Sequence, residues 1–531
     1  MQSPSLTHGF MGDDQILILE NPQITRSTSL GELLATDWFD RGATGSIGYY
    51  RPVTKLSFRA TWALFGKSPF GFHLGNLLGH SAAVLALTLL LVPLVGAPAA
   101  ALGATLYGVH PMTVQAVQNI TARSDVLAGA FFLGTLAFVA RWSVQGGARW
   151  LLAAAAAAAL AIGSKESALL VPLVAGAVAL ALVREPRRAA LPALTTAFAV
   201  LAGLAVRLAV VQVTPFPNPL AELGLFDKLM CVSKAIGAYV GPLVTGKAII
   251  LLPQHPAGPG DPGVLLGLAF LALLAAVVVV GRFCSTAALG AILLLASLAP
   301  ALAIWLLQIP MWRGEIPVAE RWLYLPVAGA AILGGEMLRR LPGRSRGIAG
   351  IALVAAFAFA TLRMTPAYAS AEAYNGWISS TFLASPPRNP REAYLAHFLR
   401  ARQLEDEGRN EEALLELFAA DRVAPYLPDH LWQIARLELG LGRPARAAAA
   451  VERFLASSFR ADPAGVRQRR DMGNDSLERI TSSPTWRFLS RARAAAGDAE
   501  GARSALAEAE RIEASGSRDS RSPPGPSRAH E

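Results

Sequence analysis

Cysteine and charged side chains are both scarce in this sequence, and each shortage excludes a class of protein. The two cysteines, Cys231 and Cys284, fall in different loops, which argues against a structural disulfide or a cysteine-ligated metal. Only 16% of the 531 residues are charged, whereas 53% are hydrophobic and the mean hydropathy is +0.39. The chain is therefore too apolar to be a soluble multidomain protein.

Several catalytic motifs are missing as well. The sequence has no glycine-rich nucleotide loop, no zinc-ligand spacing and no nucleophile elbow, which disfavours ATP hydrolysis, metalloprotease chemistry and acyl-enzyme mechanisms. The net charge is +10, but the basic residues are dispersed among apolar stretches and do not combine with aromatics on one soluble face. Nucleic acid is therefore not an expected partner.

What the sequence does contain is a series of long apolar stretches. A helix needs about 20 apolar residues to cross a bilayer, and most of the stretches are that long or close to it. They cover 74–96, 97–120, 126–144, 149–163, 168–183, 191–213, 263–283, 286–308, 322–338 and 346–364. They predict an all-α, polytopic integral membrane protein of about ten spans.

The charged residues between these stretches form two kinds of loop. Loops 141–149, 184–188, 281–282 and 339–346 are basic, and basic loops stay on the cytoplasmic side of a membrane. Other clusters mix acid with base, which is costly at a membrane face and suggests a site. These clusters are the acidic pair Asp13-Asp14 and the mixed clusters Arg123-Ser124-Asp125, Lys165-Glu166 and Glu320-Arg321.

Counting membrane crossings tests this arrangement. If the Asp13-Asp14 loop is outside, all four basic loops fall inside, provided that segment 235–253 does not cross. That segment contains Gly237, Gly241 and Pro242, which weaken a lipid-facing helix, so we expect it to be re-entrant or to lie along the membrane face. The prediction is ten spans, with both chain ends and the mixed clusters on the extracytoplasmic face.

The chain changes character after the last apolar stretch. A linker at 365–392 leads to amphipathic helices at 393–513, where a turn motif at Gly408 recurs 34 residues later at Gly442. This spacing is the period of a tetratricopeptide repeat, and a third unit follows an insertion near 462–484. Unrelated helical hairpins are the alternative.

The predicted domains follow from these boundaries. A first extracytoplasmic loop occupies 1–73 and a polytopic membrane domain occupies 74–364. The linker and a tetratricopeptide-like α-solenoid come next. The tail at 514–531 is rich in Ser, Pro and Arg and is expected to be disordered.

The mixed clusters supply the groups needed to transfer a sugar from a lipid-linked phosphate. Such a transfer needs a carboxylate that takes the proton of the acceptor, and cations that hold the leaving phosphate. Asp13 and Asp14 are the candidate carboxylates. The candidate phosphate-binding residues are Arg51, Arg123, Lys165 and Arg321.

Each cluster also has a purely structural alternative. Asp13-Asp14 can be an ordinary acidic turn, and Arg123 and Asp125 can be a snorkelling arginine and a helix N-cap. The side chains of Lys165-Glu166 can neutralise each other. Glu320-Arg321 can be an interfacial salt bridge beside belt aromatics.

The order of the motifs resembles one known family. The motifs are Gly12-Asp13-Asp14, Asn21-Pro22, Tyr50-Arg51-Pro52, Val109-His110-Pro111, Ala122-Arg123-Ser124-Asp125, Ser164-Lys165-Glu166 and Glu320-Arg321-Trp322-Leu323-Tyr324. Together they resemble the transmembrane-and-tetratricopeptide-repeat O-mannosyltransferases, which are C-type membrane glycosyltransferases. The resemblance covers nearly the whole membrane region, and repeats follow where the family has them.

The resemblance implies a polyprenyl-phosphate sugar as donor and co-substrate, a hydroxyl acceptor on a protein or glycan, and an inverting mechanism. It makes Asp13 the expected base and Asp14 its neighbour. The supporting residues it implies are Asp125, Glu166, Glu320, His110 and Tyr324. No metal is indicated, although a divalent ion on the Asp pair stays open, and the repeats can bind a protein partner.

Two features depart from the family. An acidic residue usually follows the His-Pro motif, where this chain has Gln115. The first transmembrane helix of the family is also absent before Met1. A start codon assigned too far downstream is the simplest account, and a first segment translocated by its following helix is the alternative.

Two other functions stay open at this point. An O-antigen ligase-like glycan transferase fits the Asp pair less well, and a non-enzymatic, membrane-anchored scaffold leaves the charge clusters without a shared purpose. The abundance of arginine over lysine and of alanine suggests a GC-rich bacterial genome, and hence the bacterial inner membrane.

Overall fold

Every regular element in the described part of the chain is a helix. The computed structural model describes residues 2–26, 28–36, 38, 49–211, 224–248, 258–282, 285–307, 318–383, 390–425, 429–459 and 483–519. The chain divides into two compact units, Met1–Tyr374 and Asn375–Glu531. The prediction of an all-α protein is confirmed.

The helices of the first unit that exceed eight residues carry the labels α1 to α12. They are α1 (Pro52–Phe65), α2 (Pro69–Val95), α3 (Ala97–Val109), α4 (Arg123–Gln145), α5 (Ala148–Ser164), α6 (Val171–Val183), α7 (Pro186–Val210), α8 (Leu225–Thr245), α9 (Pro262–Val280), α10 (Thr286–Leu307), α11 (Pro326–Arg339) and α12 (Gly343–Met364). Proline stands in the first turn of α1, α2, α7, α9 and α11. Its missing N–H would have had no helical partner there, so it starts these helices without loss.

Seven helical segments in the described part of the chain are long and apolar enough to cross a membrane. They are Pro69–Val95, Ile120–Gln145, Glu166–Val183, Pro186–Val210, Pro262–Val280, Thr286–Ala303 and Gly343–Tyr368. Each overlaps a predicted span, and the other three predicted spans correspond to the shorter helices α3, α5 and α11. The polytopic character of the protein is therefore confirmed. Helix α8, which covers part of the segment expected to be re-entrant, is not one of the seven.

The predicted span 97–120 is not one continuous helix. Helix α3 ends at Val109, and a 3₁₀ turn at Pro111–Thr113 is followed by the short helix Val114–Gln118. Pro111 lacks an N–H and forces the residue before it into an extended conformation. His110 accordingly has φ −67° and ψ 130°.

The basic loops share one end of the first unit. The Arg188 guanidinium lies 5.6 Å from the ring of Trp142, which joins the α6–α7 turn to the end of α4. Val95, Thr286 and Arg339 line one small cavity, which joins the α2–α3, α9–α10 and α11–α12 turns. The first turns of α2 and α4 lie at the opposite end, where Arg123 contacts Asn76 and Phe72.

The second unit consists of paired helices. The pairs are α14 (Pro390–Asp406) with α15 (Asn410–Val423), α16 (Asp429–Gly440) with α17 (Pro444–Phe459), and α18 (Ser483–Ala495) with α19 (Ala499–Asp519), while α13 (Ala371–Leu383) lies within the predicted linker. Buried side chains of these pairs, such as Leu417, Ile434, Phe454 and Leu489, form a shared hydrophobic core.

The three turns between paired helices have the same geometry. Gly408, Gly442 and Gly497 have φ of +76°, +74° and +86°, a left-handed conformation that glycine adopts without strain. At each turn the next residue donates its N–H to a carbonyl five residues back, as Arg409 does to Leu404 at 2.8 Å. The shared geometry of the three turns is consistent with a repeated helix pair. The tetratricopeptide assignment stays a prediction.

Some sequence predictions concern residues outside the described ranges. Cys284, the insertion at 462–482 and the tail from 520 lie outside them, whereas Cys231 is buried and unpaired. Residues 514–519 were expected to be disordered, but they continue helix α19. The alanine- and glutamate-rich sequence 499–513 favours the helix, which runs on through the Ser- and Gly-containing residues 514–519.

Candidate active site

The predicted site residues cluster at the end of the first unit that lies opposite the basic loops. The first turn of α4 is at the centre of this region, because it carries both Arg123 and Asp125. Segment 2–14 packs against it from one side, and the turn between α5 and α6 packs from the other. A helix N-terminus is a favourable place for negative charge.

The N-terminal segment is held in place by buried side chains. Gln2 is 2% exposed, and its amide donates to the hydroxyl of Thr113 at 3.0 Å. The amide of Gln118 donates in turn to the Gln2 side chain at 2.9 Å. These contacts fix the segment that leads to Asp13 and Asp14.

Asp13 and Asp14 have opposite environments. The Asp13 side chain is exposed, whereas Asp14 is fully buried. Asp14 accepts hydrogen bonds from the backbone N–H of Met11 at 2.9 Å and of Thr121 at 3.2 Å. Burial raises the pKa of Asp14 to about 7, and these two N–H groups counter only part of that rise. Asp14 thus fastens the loop to the start of α4, and Asp13 is the accessible carboxylate.

Lys165 and Glu166 do not neutralise each other. The Lys165 ammonium bonds to an Asp125 carboxylate oxygen at 2.6 Å, while Arg51 contacts both Glu166 oxygens, at 3.2 and 3.0 Å. All four side chains are at most 13% exposed. The ring of Tyr49 lies 4.8 Å from the Arg51 guanidinium. One turn of chain therefore joins α5 to α1 and α4 through two ion pairs.

Arg321 is the cation that this quartet leaves uncompensated. Its backbone N–H donates to the Gln115 side-chain oxygen at 2.7 Å. Its guanidinium has neither a hydrogen bond nor an ion pair with any described residue, and it is close enough to Lys165 for their charges to interact. The Gln115 side chain also hydrogen-bonds to Tyr374. An amide can donate such a bond, whereas the ionised carboxylate that the family usually has near this position can only accept one.

Arg123 is buried and hydrogen-bonded to other parts of the protein. It is 2% exposed, and its guanidinium donates to Asn76 at 2.9 Å, to Thr61 at 2.8 Å and to the Phe72 carbonyl. The Phe58 ring lies 4.6 Å from it. Every nitrogen of the guanidinium already has a protein acceptor, which favours a role in stabilising the fold, and the phosphate-binding role of Arg123 stays a prediction.

The other supporting residues lie inside the protein. His110 accepts from the Met112 N–H at 3.2 Å and contacts the Leu243 carbonyl at 3.1 Å. Tyr324 is buried, with its hydroxyl 3.0 Å from His80. Glu320 is 4% exposed, and the Tyr368 hydroxyl donates to it at 3.5 Å. These residues position the His-Pro turn and the Glu320-Arg321 turn.

Sequence reasoning missed two members of the cluster. They are Tyr49 and Arg207: Tyr49 is near enough to Arg51, Arg321 and Arg207 for electrostatic interaction. The signal for Arg207 was available, because it is a charged residue within the predicted span 191–213. No group of three or more potential metal-ligating His, Cys, Asp or Glu side chains occurs among the residues with described positions.

A family model matches part of this region. Residues 51–213 match the model described as dolichyl-phosphate-mannose-protein mannosyltransferase. The matched segment contains Arg51, Asp125, Lys165, Glu166 and Arg207. It therefore includes the two ion pairs at the centre of the candidate site.

Similar proteins define the relationship more closely. Protein O-mannosyl-transferase Tmtc1 of Drosophila melanogaster is 33% identical over 132 residues, covering 24% of this chain and 15% of the relative. Mouse TMTC1 is 36% identical over 140 residues (25% and 15%), and Drosophila Tmtc2 is 33% identical over 180 residues (32% and 19%). The predicted resemblance to the transmembrane-and-tetratricopeptide-repeat O-mannosyltransferases is confirmed. The matches span less than a fifth of these relatives' length.

Similar solved structures include ArnT from Cupriavidus metallidurans. Its apo crystal structure has a TM-score of 0.40 and 16% identity, covering 91% of this chain and 77% of ArnT. The structure bound to undecaprenyl phosphate has a TM-score of 0.38 at the same identity and coverage.

Proposed function

We propose that this protein is a membrane glycosyltransferase that moves a mannose-like sugar from a polyprenyl phosphate to a hydroxyl acceptor. The observation that carries the proposal is the arrangement at one end of the first unit. The accessible carboxylate of Asp13 and the uncompensated guanidinium of Arg321 both belong to this end. The names of the similar proteins support the same reaction class.

The proposed chemical step is a single displacement at the sugar carbon. The acceptor hydroxyl oxygen forms a bond to that carbon while its proton passes to the Asp13 carboxylate. The bond between the carbon and the phosphate oxygen breaks, and the polyprenyl phosphate leaves with the electron pair. Attack from the side opposite the phosphate inverts the sugar carbon.

The cations have two proposed roles. Arg321 binds a phosphate oxygen through a charge-assisted hydrogen bond, since its guanidinium has no described partner to give up. Arg51 and Lys165 are already paired with Glu166 and Asp125, so they shape the positive potential around the phosphate. This potential stabilises the charge that develops on the leaving group.

The proposed orientation places this end outside. The basic turns share the other end of the unit, and basic loops remain on the cytoplasmic side. Donor sugar and acceptor would therefore meet at the extracytoplasmic face. In a bacterium this is the outer face of the inner membrane.

The test is donor consumption by the purified full chain in detergent or liposomes. Polyprenyl-phosphate mannose should be converted to polyprenyl phosphate, and Arg321→Ala should raise the donor KM about tenfold or more because a charge-assisted contact is lost. Arg123→Lys is the matched control, since it should lower stability more than donor affinity. Consumption of only diphosphate-linked donors would favour the O-antigen ligase-like alternative, and no consumption of any lipid-linked sugar would contradict the proposal.

A further inference from the structure

Asp125 has a buried carboxylate oxygen that the fold leaves without a partner. The residue is 7% exposed and lies in the first turn of α4. One of its oxygens, Oδ1, accepts the Lys165 ammonium at 2.6 Å. The other, Oδ2, is buried and has no hydrogen-bond partner among the described residues.

Glu166 provides the comparison within the same cluster. Its two oxygens both accept N–H groups of Arg51, at 3.2 and 3.0 Å. The two carboxylates therefore have similar burial and one cation each, yet only Asp125 keeps an open oxygen. Ion pairing therefore satisfies both oxygens of Glu166 but only one oxygen of Asp125.

An open carboxylate oxygen in a buried place is costly. An unsatisfied buried polar group costs about 1–3 kcal/mol, and more when it is charged. The Lys165 charge and the N-terminus of α4 stabilise the negative charge of Asp125, but neither donates to Oδ2. The oxygen is thus arranged to accept a donor that arrives with a ligand.

The chemistry of the proposed donor substrate decides which part of it can reach Asp125. A polyprenyl chain has no hydrogen-bond donor, and an ionised phosphate diester has only acceptors, which the carboxylate repels. Sugar hydroxyls do donate. We propose that Oδ2 of Asp125 accepts a hydrogen bond from a hydroxyl of the donor's sugar and thereby selects the sugar; this assignment rests on the proposed function.

The experiment compares complete and deoxy donors. The full chain is assayed with polyprenyl-phosphate mannose and with a series of analogues that each lack one sugar hydroxyl. The wild type should discriminate against one analogue by about 10–100-fold in kcat/KM, the range expected for a hydrogen bond to a charged group. Asp125→Asn keeps an oxygen for Lys165 but places an amide N–H at the second position, so this discrimination should fall about tenfold.

Glu166→Gln is the matched control. It should lower the rate, because Arg51 loses its charged partner, while the discrimination between complete and deoxy donors stays as in the wild type. Equal discrimination in the wild type and Asp125→Asn would overturn the inference. So would a loss in Asp125→Asn that is the same for every donor.

If no donor is turned over, a binding measurement tests whether Asp125 contacts a sugar hydroxyl. Soluble mannose 1-phosphate and its deoxy analogues are titrated into the folded protein, with thermal unfolding as the check on folding. The same analogue should bind worse than mannose 1-phosphate to the wild type and equally well to Asp125→Asn. An unchanged preference would reject the role of Asp125, whereas absent turnover with this pattern would reject the proposed reaction alone.

Discussion

Asp13 and Asp14 are neighbours in the chain, but the fold assigns them different tasks. Asp14 is fully buried and receives the N–H groups of Met11 and Thr121, so it holds the loop against α4. The Asp13 carboxylate, in the same loop, remains exposed. A base must reach the proton that it takes, and geometry therefore favours Asp13.

Asp13→Asn should lower turnover by about 10²–10⁴-fold, the usual contribution of a positioned general base. The amide keeps the shape of the side chain but cannot take a proton, so donor binding should persist. Single-turnover kinetics with polyprenyl-phosphate mannose measure the chemical step, and equilibrium binding measures donor affinity. Turnover at the wild-type rate in both Asp13→Asn and Asp14→Asn would exclude this pair as the base.

Asp14 should make stability depend on pH. Its folded-state pKa is raised from 3.8 to about 7, chiefly by burial. Between these values the folded chain keeps a proton that the unfolded chain has lost, so stability falls as pH rises through this window and stays lower above about pH 7. Melting temperatures at about pH 5 and pH 8 should therefore differ less in Asp14→Asn than in the wild type. Asp13→Asn is the control and should retain the wild-type difference.

At the scale of elements, one core position distinguishes the first two helix pairs of the second unit. Glu438 in α16 lies 34 residues after Leu404 in α14, and both are buried, at 1% and 3% exposure. Among the described residues, the Glu438 oxygens have no hydrogen bond of good geometry, and their nearest cations are Arg443 at 3.5 Å and Arg446 at 3.9 Å. A buried charge with such loose pairing contributes little to stability.

Glu438→Leu should stabilise the second unit, because a leucine fits the equivalent position of the preceding pair. Arg443 retains its contact with Glu411, and Arg446 is 70% exposed, so neither cation is left buried. A gain of about 1 kcal/mol would raise the unfolding temperature by about 2–4 °C for a unit of this size. Hydrogen exchange in α16 and α17 measures the effect locally. Leu404→Glu should do the opposite, and a lower stability of Glu438→Leu would contradict the argument.

Much at the scale of elements could be predicted from the sequence. Apolar length locates the spans, and glycine spacing locates the turns of the second unit, because both signals are local. The break at His110 is signalled by Pro111, although apolar residues continue on both sides of it. The partners of Lys165, Glu166 and Arg123 could not be predicted, since a sequence shows which residues carry charge but not which distant group neutralises them.

At the scale of the whole molecule, the separation of charges predicts the topology. The turns near Arg187 and Arg344 belong to the basic end, and Asp14 and Glu320 belong to the other. Thiols introduced beside Asp14 or Glu320 should react with an impermeant reagent added from outside the cell. Thiols beside Arg187 or Arg344 should react only after the membrane is opened. Labelling beside Arg344 in intact cells would reverse the proposed orientation.

The two ion pairs have a consequence for the rate of the proposed reaction cycle. Arg51 with Glu166 and Lys165 with Asp125 sum to zero, which leaves the positive charge of Arg321 to attract the phosphate of the proposed donor. Transfer of the sugar leaves a phosphate monoester, which carries nearly one negative charge more at neutral pH. The product should therefore dwell longer than the donor, and its escape should limit steady-state turnover. A rapid burst of one product per protein, followed by a slower rate that added polyprenyl phosphate suppresses, would reveal this bottleneck.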